Sequence, residues 1–141
     1  MNFFFKISPE WTLRIGFAAM YFYSGVSIFS APQNWAWAVP SWFSGAVTSL
    51  GFDTETYLKL QAIGEVVFAL AFLAWFLRPA VLEIITVFAA VEMAGILLLG
   101  GTGINSITFR DLGILGGLIA LVIIFGQTRK TEDLVGKDLI K

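Results

Sequence analysis

One run of residues limits what this chain can become: LKLQAIGEVVFALAFLAWFLRPAVLEIITVFAAVEMAGILLLG, from Leu58 to Gly100. A bilayer crossing needs about 20 predominantly apolar residues. This stretch supplies two such segments, broken only at Arg78-Pro79. Proline disfavours a helical residue before it and suits the first turn of a helix after it. The run therefore predicts two spans, about 58–77 and 80–99, folded against each other as a hairpin. Three carboxylates, Glu65, Glu83 and Glu92, lie inside it. An ionised carboxylate in hydrocarbon is costly, so each is expected to be paired, protonated or turned to a wet interior.

Two further spans are expected. Ser8-Pro9-Glu10 reads as a helix start, and about 11–29 follow as an apolar helix ended by Ala31-Pro32. The apolar run continues past the length of a signal core with no small-residue cleavage site, so 1–10 are not read as a secretory signal. Arg14, Tyr21 and Gly25 share one stripe of this first span, the side expected to face other helices. The last span is about 107–126, with Gly113 and Gly117 at the spacing that lets helices approach closely in lipid. Residues 127–141 are a short charged tail, expected to be solvated. The fold class is all-α: a four-helix transmembrane bundle formed by 1–126.

The long connection, 31–57, carries Trp35, Trp37 and Trp42 and no Lys or Arg. After Pro40, Trp42, Phe43, Ala46, Val47 and Leu50 recur at helical spacing. This predicts a short amphipathic interfacial helix capped by Ser41. The tryptophans are read as anchors at the water boundary, or as part of a lid over a cavity on that side. Basic residues gather elsewhere: Lys6, Arg14, Arg78, Arg129, Lys130, Lys137 and Lys141. The positive-inside rule puts both termini in the cytoplasm and the Trp-rich loop outside, which makes this loop extracytoplasmic.

Helical rise of 1.5 Å per residue places Glu65 and Glu92 at similar depth, about 10 and 12 Å from the outer edge. Gln61 shares the Glu65 face, and Arg110-Asp111 come in from the same side on the last span. One outer polar cluster is expected: Gln61, Glu65, Glu92, Arg110 and Asp111. It is either an ion-pair network that fixes helix register or a binding site. Glu83, on the face opposite Glu92, is expected to pair with Arg14 near the cytoplasmic end or to reach headgroup water.

Composition removes several chemistries. The chain is 57 % hydrophobic and 13 % charged, with no Cys and no His. Without them there are no disulfides, no thiol relays and no usual haem ligand, so haem and thiol-based cofactors are not expected. A bound quinone or a carboxylate-held cation stays open. A net charge of −1 offers no basic surface to nucleic acid. No activated nucleophile, Glu-x-x-His spacing or dinucleotide fingerprint is present, so an enzyme in its own right is the last choice, and no metal site is expected.

The residues LRIGFAAMYFYSGVSIFSAPQNWAWAVPSWF, the Gly64-Glu65 pair and FRDLGILGGLIAL resemble the DoxX family of small bacterial and archaeal membrane proteins. The likeness covers about 11–126. It implies a four-helix membrane bundle, with Arg14, Glu65, Arg110 and Asp111 as recurring polar positions and no fixed catalytic set. The family takes its name from subunits associated with thiosulfate:quinone oxidoreductase. Other members are linked to oxidative-stress complexes, and distant relatives act as assembly factors or cargo receptors. The resemblance implies an accessory or docking subunit of a quinone-linked redox complex in the cell (cytoplasmic or inner) membrane, with other integral subunits as partners. A small transporter or proton path, and a membrane-protein assembly factor, are the alternatives.

Overall fold

The computed structural model describes residues 8–100 and 106–138, which are helical throughout apart from short connections. Helix α1 spans Pro9–Ser30. Its start follows the sequence signal: the Ser8 hydroxyl accepts the Trp11 N–H at 3.4 Å, and Pro9 occupies the first turn, where its missing N–H costs nothing. A 3₁₀ turn, Pro32–Ala38, comes next and was not anticipated. Helix α2, Ser41–Ser49, is the expected short helix, but Pro40 takes the cap position and Ser41 lies inside the helix with no capping bond. The chain turns back at Gly51, whose φ of 87° a side-chain-bearing residue rarely adopts.

Helix α3 spans Thr54–Leu73, about four residues earlier at each end than the apolar run indicated. Asp53 sets the start by accepting the Thr56 N–H at 2.6 Å. This cap draws the polar segment Thr54-Glu55-Thr56 into the helix. Residues 74–78 then link to α4, Pro79–Leu99, where Arg78 is extended ahead of Pro79. Helix α5 runs Ser106–Asp138, 33 residues and about 50 Å long. It passes straight through what was expected to be a solvated tail, because nothing in QTRKTED breaks a helix. The sequence Gly100-Gly101-Thr102-Gly103 also predicts a flexible turn after the third span, and Gly101 to Gly103 lie outside the described residues.

Among the described residues, three helices are long and apolar enough to cross a membrane: Thr54–Leu73, Pro79–Leu99 and, within α5, Phe109–Glu132. Their mean hydropathies are 1.4, 2.2 and 2.0. They make this an all-helical membrane protein. Helix α1 is as long, but Glu10, Arg14, two tyrosines and three serines dilute it, and it is not among them.

The helices associate as two pairs, α1 with α3 and α4 with α5, while α3 and α4 touch only sparingly. The expected tight hairpin of the second and third spans is therefore corrected. Its two arms belong to different pairs, because the five-residue link lets them separate and small residues draw each arm to another partner. Helices α1 and α3 come close at Gly25, where an added Cβ would stand 2.8 Å from the Ala62 carbonyl oxygen and 2.9 Å from Val66 Cγ2. Gly117 does the same for α1 and α5, with the Phe17 ring 2.8 Å away. Gly113, expected to share that role, has nothing within 4 Å, since it faces away from the packed stripe. Phe17, Tyr21, Phe72, Leu82, Ala89, Leu118, Leu121 and Phe125 form the core that joins the pairs.

At the end of the bundle where α3 stops, Arg14 is only 3 % exposed. Its Nε donates to the Phe72 carbonyl at 2.7 Å and an Nη to the Ala74 carbonyl at 2.8 Å. The other Nη donates to Glu10 at 2.9 Å, and the guanidinium lies 4.0 Å from the centre of the Trp11 ring. Arg14 thus caps α3 from a neighbouring helix. It does not pair with Glu83. That acid meets Arg129 of the extended α5 at 3.3 Å, and Gly126 leaves room for the carboxylate against α5. The reason is proximity: Glu10 is one turn from Arg14 on the same helix, and α5 continues far enough to bring Arg129 to Glu83.

Candidate functional site: a buried acid seam between the helix pairs

Glu65 on α3 and Glu92 on α4 lie on either side of the α3–α4 seam, near enough for each to feel the other's charge. Glu65 stands about 18 Å along α3 from its Asp53 cap, in the middle of the span, and is 6 % exposed. The α3 stripe that buries it is Leu58, Ala62, Glu65, Ala69 and Phe72, at the spacing of one helix face. On α4, Glu92 follows the buried Ala89 by three residues. Gln61 joins the two helices by donating from Nε2 to Glu92 Oε1 at 3.4 Å. This part of the expected cluster, Gln61, Glu65 and Glu92, is brought together.

Two residues of α1 complete the wall. The Tyr21 hydroxyl donates to the Ala89 carbonyl at 3.4 Å, and its ring packs on Phe68 and Phe72. The Ser24 hydroxyl faces the Glu65 carboxyl. Tyr57, one turn above Gln61 on α3, stands above both acids. These three residues were not counted in the cluster from sequence. The i, i+4 series Tyr57, Gln61, Glu65 was the available signal, and Tyr21 faces other helices as the Arg14, Tyr21, Gly25 stripe predicts, whereas Ser24 lies outside that stripe.

Arg110 and Asp111 behave otherwise. They pair with each other at 3.1 Å, with the Arg110 side chain largely exposed and Asp111 nearly buried. Among the described residues, no Lys or Arg makes a salt bridge to Glu65 or Glu92. Among the described residues three buried carboxylate oxygens lack a hydrogen-bond partner; Glu83 Oε2 has the Arg129 guanidinium beside it at 3.3 Å, which leaves Glu65 Oε2 and Glu92 Oε2 without a cation. Buried polar atoms are otherwise nearly always satisfied, which makes these two the chemical focus of the molecule. Two acids at one place, walled by hydroxyls and an amide, can hold a proton, share it, or coordinate a positive centre.

The connection after α1 closes the seam from the α2 end. Phe43 of α2 meets Tyr57 with ring centres 4.9 Å apart, and Ser44 bonds Thr54 at 2.7 Å. Trp35 is half-buried and donates to Ser27 at 3.3 Å, so it is a packing residue of this cover. Trp37 and Trp42 are exposed, as boundary anchors would be. An apolar groove of about 280 Å³, lined by Gly25, Val26, Phe29, Ala62, Ile63 and Val67 among others, lies apart from the acids and has no titratable lining.

No family model, curated protein or solved structure matches the chain.

Proposed function

We propose that this chain is a DoxX-like, four-span protein of the cell membrane that serves as an accessory subunit docked to a quinone-linked redox complex. In this reading α1 is the fourth span. Its length matches the others, its charges are consumed by the Glu10–Arg14–α3 cap, and Ile15, Phe22, Val26 and Phe29 present an apolar outer face. Arg14, Arg78 and Arg129 all gather at one end of the bundle, the end where α3 stops and α4 starts. The positive-inside rule makes that end cytoplasmic, with both termini there and α2 on the outer side.

The observation that carries the reading is the acid seam itself, Glu65 and Glu92 with unpartnered oxygens at membrane depth. Intramembrane ionisable residues usually serve function. With no thiol and no imidazole in the chain, electrons stay on the partner, and the seam contributes hydrogen bonds or a proton to a quinone headgroup. The test is affinity capture of the full chain from native membrane in mild detergent, followed by quinone-reductase assay of what is recovered. Wild type is expected to bring down a redox subunit. Glu65→Gln is expected to retain it while lowering quinone turnover at least tenfold. Recovery of the chain alone would reject the docking role.

A second reading is favoured by one observation. The Tyr57, Gln61, Glu65 series forms a polar ladder from the α2 end to mid-membrane, as a proton path requires. Proton flux into liposomes holding the pure chain, lost in Glu65→Gln, would select it.

A further inference from the structure

We propose that the Glu65–Glu92 seam is a site for a small monovalent cation of the sodium class, taken up in exchange for a proton. The inference rests on the same seam as the function proposed above, but needs no partner and no quinone. It starts from two orphaned oxygens, Glu65 Oε2 and Glu92 Oε2, each fully buried. A proton shared between the two oxygens would pair both of them but would leave one negative charge buried in the seam. A cation accepts several oxygens at once and removes the surplus negative charge in the same step.

The donor set selects the class. Every side chain that converges here offers oxygen: two carboxylates, the Ser24 and Tyr21 hydroxyls, and the Gln61 carbonyl left over when its Nε2 donates to Glu92. An oxygen-only set takes hard cations and discriminates against zinc and copper, which prefer imidazole or thiolate. Calcium asks for six to eight oxygens, and magnesium keeps several waters. The oxygens left free here are five, Glu65 Oε2, Glu92 Oε2, the Ser24 and Tyr21 hydroxyls and the Gln61 carbonyl, which is short of calcium's number. One monovalent ion and one retained proton neutralise two acids, which fits the pair as it stands.

Access and competition follow from the surroundings. Tyr57 and Gln61 lead from the α2 end down to Glu65, one helical turn apart. The titratable groups that face Glu65 are Tyr21 from α1, Tyr57 on its own helix and Glu92 from α4. From α5, Arg110 is held by Asp111 and Arg129 by Glu83. Arg14, from α1, is engaged by Glu10 and the end of α3. Among the described residues no side-chain cation makes a salt bridge to either acid, so protons are the ion's competitor.

The experiment is thermal unfolding of the purified full chain in detergent, followed by tryptophan fluorescence. NaCl is titrated against choline chloride at equal ionic strength, at pH 6 and pH 8. A saturable sodium-dependent rise of about 5 °C is expected, absent in choline. Apparent sodium affinity is expected to weaken about tenfold per pH unit on acidification, since one proton competes with one ion. Glu65→Gln should lose the sodium response, and Ser24→Ala, which keeps both acids, should weaken it. Coincident sodium and choline curves for wild type would overturn the proposal whether or not the variants fold. A full sodium response in Glu65→Gln, or an equal response to calcium, would do the same. Loss of partner capture with the sodium response intact would reject only the docking role.

Discussion

Replacing Arg14 by Met isolates what the buried guanidinium does. Methionine fills similar volume in a helix and removes every donor. In the folded chain Arg14 satisfies the carbonyls of Phe72 and Ala74 at 2.7 and 2.8 Å, at the point where α3 ends and those groups have no helical partner. Leaving a buried acceptor unpaired costs about 1–3 kcal/mol. The Phe72 carbonyl bears that cost in full, while the part-buried Ala74 carbonyl keeps a long bond from the Leu77 N–H at 3.5 Å, so the two together come to about 2–4 kcal/mol. Loss of the stacking on Trp11 at 4.0 Å adds up to about 1 kcal/mol. The Glu10 pair adds little, since Glu10 is partly solvated and can turn to water. A net destabilisation of about 2–5 kcal/mol is expected, allowing for non-additivity. Arg14→Lys should recover less than half, because an ammonium on a flexible stem lacks the planar fork that meets both carbonyls together. Glu10→Gln should cost less than about 1 kcal/mol. Reversible unfolding in mixed micelles of mild detergent and SDS, followed by circular dichroism, measures all three. If Arg14→Met unfolds within about 1 kcal/mol of wild type, the carbonyls of Phe72 and Ala74 do not depend on Arg14 and the cross-helix cap is wrong.

Two further predictions use the same assay or its local counterpart. Gly25→Ala should destabilise by about 1–3 kcal/mol, because its Cβ would meet backbone at 2.8 Å, whereas Gly113→Ala, with nothing within 4 Å, should be neutral or stabilising by about 1 kcal/mol from helix propensity. The Thr56 N–H holds the Asp53 carboxyl below its usual range, so the charged form is the one that caps α3. A depressed folded-state value means that the cap contributes fully above the unfolded-state value and is lost as pH falls through the folded one. The protection factor of the Thr56 N–H, its exchange rate against the intrinsic rate at the same pH, should therefore fall in acid for wild type and be low at every pH in Asp53→Ala.

What the sequence determined is what local chemistry determines. Apolar runs of bilayer length made α3, α4 and α5 membrane helices, Ser8 and Pro9 started α1, and Pro79 started α4, all within reach of a few neighbouring residues. Matched depth along two helices was enough to bring Glu65, Gln61 and Glu92 together, because helical rise is the same everywhere. Glu10, four residues before Arg14, was legible by the same spacing, yet depth alone pointed Arg14 at Glu83. Only the tertiary structure decided which helices pair, that Gly25 and not Gly113 admits a neighbour, that Arg110 turns to Asp111 instead of the acids, and that Tyr21 and Ser24 close the seam. These depend on helix rotation and on how closely backbones approach. Both are set by side chains far apart in the chain meeting in three dimensions, and no local pattern encodes that.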